Sequence, residues 1–204
     1  MIKSLLTTAA LVVASQFTHA ATIVDTGTPN GSAVGALAFD SIDWTAAQVS
    51  FAQAANVDAI QGHILGGSTG ETFDISLFAD DAAQGPGTLM YTTTATFGSD
   101  GWNGASGLSG WTVAAGNYWI EFEIQGADTL GSSSVTGALL DLGAPDPVAA
   151  TASTNDGGFS YAGDALSIGL RVDAVSSVPE PAAALQVLAG ALLLSSAGLL
   201  RRRR

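Results

Sequence analysis

The middle of this 204-residue chain consists of short runs in which apolar and polar residues alternate. In residues 71–78, Phe73, Ile75 and Leu77 occupy every second position, which is the period of a strand with one buried face. Residues 117–124 and 165–173 repeat this alternation. Together with five similar runs, the predicted strands are 33–39, 46–53, 57–65, 71–78, 88–97, 117–124, 134–142 and 165–173.

Turn residues separate these runs, and no long segment at the helical period lies between them. Gly85-Pro86-Gly87 and Asp156-Gly157-Gly158 are typical of such turns. Strands that follow one another through turns predict an all-β fold, here a single antiparallel β-sandwich or jelly roll over residues 21–173. Residues 174–177 are expected to form a short stalk behind this domain.

The N-terminus has the pattern of a secretory signal peptide over residues 1–20. Lys3 supplies a positive end, residues 5–13 an apolar core, and Ala20 a small residue before the expected cut. We therefore predict a signal helix that is removed between Ala20 and Ala21.

The C-terminus has the pattern of a transmembrane helix. Residues 182–200 carry no charge and, as a helix, would span roughly 28 Å, close to the hydrocarbon core of a bilayer. A stop-transfer cluster follows, namely Arg201, Arg202, Arg203 and Arg204. Because cytoplasmic flanks are enriched in arginine, we expect this end inside and residues 21–177 outside the inner membrane.

A four-residue motif precedes this span, Val178-Pro179-Glu180-Pro181. Together with the span, the arginine cluster and the signal peptide, it resembles the PEP-CTERM sorting signal of exported proteins in Gram-negative bacteria. The resemblance covers residues 178–204. It implies recognition by an exosortase, cleavage near the motif, and a final place at the cell surface or in extracellular polysaccharide. The inner membrane then holds the chain only transiently.

The segment between the two signals is strongly acidic. Arg171 is its only lysine or arginine against 17 acidic residues, so its net charge is 1 − 17 = −16. This charge excludes nucleic acid as a partner, because phosphate binding needs a basic patch. The chain has no cysteine, and His63 is the only histidine after residue 20. Disulfides and thiol chemistry are therefore excluded.

Carboxylates are the plentiful reactive groups. Glu121 and Glu123 are two residues apart on one strand, a spacing that would suit a glycosidase but is expected of solvated positions on a polar face. Asp80, Asp81 and Asp156 lie in or beside turns and are candidate calcium ligands, since calcium prefers loop oxygens. The alternative is ordinary turn chemistry.

Two tryptophans are candidate carbohydrate contacts. Trp102 and Trp111 lie in a Gly/Ser-rich stretch where exposure on a loop is expected. Packing in the core or at a sheet edge is the alternative. His63 lies on an alternating strand and is expected to be structural.

Residues 45–125 also resemble the small β-sandwich domains of exported proteins that bear C-terminal anchors. The resemblance rests on 73–78, Asp80-Asp81, Gly85-Pro86-Gly87 and 115–119, and it implies a fold without an activity. The sequence thus favours a non-enzymatic surface or extracellular-matrix protein. A carbohydrate-binding module and a polysaccharide hydrolase or lyase stay open.

Overall fold

A computed structural model describes residues 20–30, 36–81, 85–133 and 137–176. The described residues form thirteen strands. These are β1 (Ala21–Asp25), β2 (Ala36–Phe39), β3 (Trp44–Phe51), β4 (Ala55–Leu65), β5 (Thr72–Asp80), β6 (Pro86–Thr96), β7 (Gly101–Ser106), β8 (Thr112–Val113), β9 (Gly116–Glu123), β10 (Ala138–Asp141), β11 (Thr151–Thr154), β12 (Ala162–Asp164) and β13 (Leu170–Ser176).

The strands form two antiparallel sheets that pack as a sandwich, as the alternation predicts. One sheet has seven strands in the order β1-β13-β4-β10-β2, with β7 and β8 also paired to β4. The other has six strands in the order β12-β11-β3-β9-β5-β6. Sequential neighbours such as β5 and β6 form hairpins, whereas β1 and β13 join the two ends of the described chain.

The core lies between the sheets and is built from alternate residues of their inner faces. Phe73, Ile75 and Leu77 are completely buried, as their alternation predicts, and they pack in one cluster with Ile60 and Ile64 of β4. Gly62 lies between these two isoleucines. A Cβ there would be 2.8 Å from the ring of Phe122 on β9, so the missing side chain makes room for that ring.

The structure differs from the sequence prediction at the end of the closing strand and in the number of strands. The closing strand β13 continues to Ser176, and Ala174 and Val175 pair with Val57 and Asn56. The stalk predicted over 174–177 is therefore wrong for 174–176, because the main chain of β4 offers partners beyond residue 173. Five strands were not predicted from the sequence, namely β1, β7, β8, β11 and β12.

The two predicted helices, over the signal peptide and over 182–200, lie outside the described residues, apart from Ala20. Within 20–30, 36–81, 85–133 and 137–176, no helix has the length and hydropathy needed to cross a bilayer.

Candidate functional site

The two ends of the domain lie side by side. β1 begins at Ala21, directly behind the predicted cleavage site, and Ala21 pairs with Ala174 of β13. Ala20 is exposed. The sorting motif, the span and Arg201–Arg204 lie outside the described residues. β13 ends one residue short of that motif, so both predicted membrane signals connect to the same edge of the sandwich.

Glu121 and Glu123 lie on the outer face of the six-stranded sheet, yet both are buried. Glu121 is fully inaccessible and Glu123 is 3% exposed, so the predicted solvated face is wrong. Tyr161 lies over this face and donates a hydrogen bond from its hydroxyl to Oε2 of Glu121 at 2.9 Å. Trp119, Ala46 and Ala152 form a small apolar cluster against which Tyr161 packs.

This burial changes the acid chemistry of the pair. Burial, helped by the nearby charge of Glu123, raises the pKa of Glu121 to about 8. Burial also raises the pKa of Glu123 and of Tyr161. Glu121 is therefore protonated at neutral pH and Tyr161 stays a donor. Oε1 of Glu121 and Oε1 of Glu123 have no hydrogen-bond partner among the described residues. The pair can hold a proton, and neither carboxylate is open to solvent.

Asp80 lies on the same outer face, at a cleft of about 410 Å³. Its Oδ1 accepts hydrogen bonds from Nε1 of Trp119 at 2.8 Å and from Nε2 of Gln48 at 3.2 Å. Asp164 lines the same cleft. The carboxylate of Asp80 thus holds the side chains of Trp119 and Gln48 in place, a role that its position beside a turn does not predict.

Asp156 serves its own turn. Its carboxylate accepts hydrogen bonds from the amides of Phe159 and Ser160, both at 3.0 Å, and from the hydroxyls of Ser160 and Thr154. The hydroxyl of Ser160 contributes most to lowering the pKa of Asp156 to about 2. Turn chemistry explains this residue. Asp81 follows β5 and is exposed. Among the described residues, no three acidic or histidine side chains come together at metal-binding distances.

Trp102 lies on the outer face of the seven-stranded sheet in a cluster that the sequence does not reveal. The guanidinium of Arg171 lies 3.9 Å from the centre of its ring, and His63 meets it edge-on with ring centres 5.2 Å apart. Nδ1 of His63 lies 3.0 Å from Oδ2 of Asp141, and Arg171 also pairs with Asp25 at 3.2 Å. The sole arginine of the segment therefore covers one face of Trp102.

Trp111 lies in the core, so the loop exposure predicted for it is wrong. It is 6% exposed, and its ring stacks on Tyr91 with centres 5.3 Å apart. The sequence signal for such clusters is weak, because strand pairing brings together residues that are distant in the sequence, such as Asp25 and Arg171, which are 146 residues apart. The acid pair was visible as a motif, but Tyr161, which contacts Glu121, is 40 residues from it in the sequence.

A comparison with protein-family models gives no match to this chain, and a comparison with curated proteins gives no similar sequence.

Proposed function

We propose that this chain is an exported, non-enzymatic protein of the cell surface or extracellular matrix, processed by an exosortase at Val178-Pro179-Glu180-Pro181. Its partners are the exosortase during processing, the inner membrane through residues 182–200 until the cut, and extracellular polysaccharide afterwards. The two terminal signals give this proposal its direction, because both direct residues 21–177 across the inner membrane.

One structural observation carries the proposal. The first strand begins at Ala21 and is paired to the last strand, which ends one residue before the motif. Removal of both signals therefore leaves every described strand intact. The two prolines of the motif disfavour helix and strand pairing, so the segment between the sandwich and the span is suited to an extended substrate.

The buried groups support a structural role for the domain. Glu121 and Glu123, the pair suited to a glycosidase, are both buried, and Tyr161 is hydrogen-bonded to Glu121. Trp44, Trp111 and Trp119 are buried, and Arg171 covers one face of Trp102, so these four rings form no common stacking surface.

Replacing both Pro179 and Pro181 by alanine is expected to leave the domain folded and the chain in the inner membrane, because the extended substrate segment is lost. Membrane fractionation and pulse-chase labelling, in a Gram-negative host with an exosortase, measure this. Pro147→Ala is the matched control, since Pro147 is an exposed proline of the domain. Release of the double variant at the rate of the Pro147→Ala variant would contradict processing at this motif.

A further inference from the structure

A groove of about 530 Å³ runs along one side of the sandwich, between the edge strands of the two sheets. β6 is the end strand of the six-stranded sheet, and among the described strands it pairs only with β5. β7 lies at the corresponding edge of the other sheet, where it pairs with β4. Residues 93–96 and 104–109 line the groove. Its walls are therefore two edge strands.

The main chain of β6 faces away from β5 at alternate residues. The amide of Phe97 donates to the carbonyl of Glu71 at 2.8 Å, and its carbonyl accepts from the amide of Gly70 at 2.9 Å. The main-chain amide and carbonyl of Phe97 therefore point towards β5, and so do those of Ala95 and Thr93. Backbone direction alternates along a strand, so the amides and carbonyls of Thr92, Thr94 and Thr96 face away from β5. These groups form a template for another strand.

This side of the molecule is unusual in charge. Asp100 is the only charged residue between positions 82 and 120, although residues 21–177 as a whole carry a net charge of −16. Edge strands usually carry lysine, proline or a bulge that prevents pairing with another chain. β6 has its proline and its bulges only in the first part, opposite Phe78 and Asp80. The part that pairs regularly, residues 91–96, has none of these devices and is rich in β-branched threonine.

We propose that β6 pairs with β6 of a second copy of this chain. The two strands run antiparallel about a two-fold axis at Thr94, so Thr94 faces Thr94 and Thr92 faces Thr96 of the other copy. Identical strands satisfy an antiparallel ladder by symmetry, and such an interface is closed. The two six-stranded sheets then form one continuous sheet, with facing threonine pairs on its outer surface.

The charge distribution favours a second copy as the occupant. Two copies of so acidic a domain repel each other, and this repulsion is reduced at β6, which carries no carboxylate of its own; Asp74, beside Thr94, lies one strand further back on β5. The other edges fit less well: β1 contains Asp25, β12 contains Asp164, β2 has only four residues, and the six-residue β7 contains two glycines, which weaken a strand. Leu89 and Met90, two of the large exposed apolar side chains, also lie on β6. Pairing through one strand predicts a dimer that dissociates on dilution.

Cysteine cross-linking tests this pairing, because the chain has no cysteine of its own. The full-length chain is expressed in the exporting host with Thr94→Cys, and cells are treated with a short bismaleimide. Thr94 is exposed, and facing Cβ atoms in a sheet lie about 5.5 Å apart. We expect a cross-linked dimer with Thr94→Cys. The control is Ser50→Cys, which is exposed on β3 and is expected to stay monomeric.

A matched pair of variants then tests the register. Thr92→Glu with Thr96→Glu, added to Thr94→Cys, places two negative charges opposite each other across the axis. Thr92→Gln with Thr96→Gln, added to the same chain, places uncharged side chains of similar size there. Position 94 is not used for a glutamate, because Asp74 lies beside it on β5 and would repel a charge there within the same chain. We expect the dimer to fall by about tenfold or more with glutamate, because facing like charges repel, and to persist with glutamine. The two variants are expected to melt at the same temperature, since both lose the hydrogen bond that Thr92 accepts from the hydroxyl of Ser76.

Three results would overturn the proposal. In the first, the Thr94→Cys chain gives no more cross-linked dimer than the Ser50→Cys chain. In the second, the glutamate and glutamine variants give the same amount of dimer. In the third, Thr94→Cys is cross-linked to a different protein. Because dimer is scored on whole cells, a failure of export or processing leaves this test readable. The cross-link is diagnostic whichever form of the chain the cell makes.

Discussion

Replacing Glu71 by glutamine is expected to destabilise the domain by about 2–4 kcal/mol, the largest loss we predict for a single polar side chain. Glu71 is 8% exposed, and its carboxylate accepts hydrogen bonds on both oxygens. Oε2 accepts from the amides of Ser68 at 2.9 Å and Gly131 at 2.8 Å, and Oε1 accepts from the amide of Ser133 at 3.1 Å and from its hydroxyl.

The physical reason is that an amide cannot replace this carboxylate. A glutamine side chain ends in one oxygen and one NH2 group, and the NH2 group would face main-chain N–H groups that then lose their acceptor. The carboxylate also holds the turn before β5 against residues 131–133, so its loss loosens two segments 60 residues apart. In thermal unfolding at pH 7 we expect the melting temperature to fall by roughly 6–12 °C.

The same residue predicts a loss of stability in acid. Burial alone would raise the pKa of Glu71, but the hydrogen bonds from Ser133, Ser68 and Gly131 outweigh it and lower the pKa to about 2. A lowered pKa in the folded state contributes stability above the unfolded value near 4.5, and this contribution is lost as the pH falls towards 2. The Glu71→Gln variant should lack that part of the acid transition. Asp146→Asn, a change at an exposed carboxylate, is the control. Equal melting temperatures for Glu71→Gln and Asp146→Asn at pH 7 would contradict this role.

Replacing Glu121 by glutamine is expected to have the opposite effect, a gain in stability that grows as the pH rises from about 4.5 to about 8. The folded state binds a proton at Glu121 that the unfolded state releases near pH 4.5, because the folded pKa is raised to about 8. The stability of the wild type is therefore complete below about pH 4.5 and falls as the pH rises through 8. Glutamine keeps the hydrogen bond from Tyr161 and never ionises.

The expected gain at pH 9 is on the order of 3 kcal/mol, or roughly 6–12 °C in melting temperature, with little change at pH 5. Thermal unfolding of both proteins at the two pH values measures it. Asp146→Asn again removes one charge at an exposed position and separates the local effect from net charge. A variant that is no more stable than the wild type at pH 9, or that gains equally at pH 5, would refute the account of the buried pair.

The sequence was informative about strands whose inner face is large and apolar. Phe73, Ile75 and Leu77 lie at every second position and are buried as this period predicts. It was uninformative for β7, β11 and β12, which have sequences such as Ala162-Gly163-Asp164 without alternation. These short strands form because neighbouring main chains offer partners, which no local pattern records.

The candidate sites show the same division. The polar period of β9 was read correctly from Glu121 and Glu123, but the inference that this face is wet was wrong, because Tyr161 from a distant turn covers it. Similarly, Trp102 acquires Arg171 and His63 only through the pairing of β13 and β7 with β4. Burial of a polar face depends on tertiary structure. A single sequence shows the spacing of the polar residues along a strand but not which distant residues pack over them.

The most direct measurement of the central proposal is mass spectrometry of both termini of the protein recovered from the cell surface. We predict an N-terminus at Ala21 and a C-terminus within residues 178–181, so the net charge changes from −12 for the full chain to −16, or to −17 if Glu180 is kept. Such a protein would retain all thirteen strands of the described residues. Surface protein that still contains residues 182–200 and ends in Arg204 would contradict it.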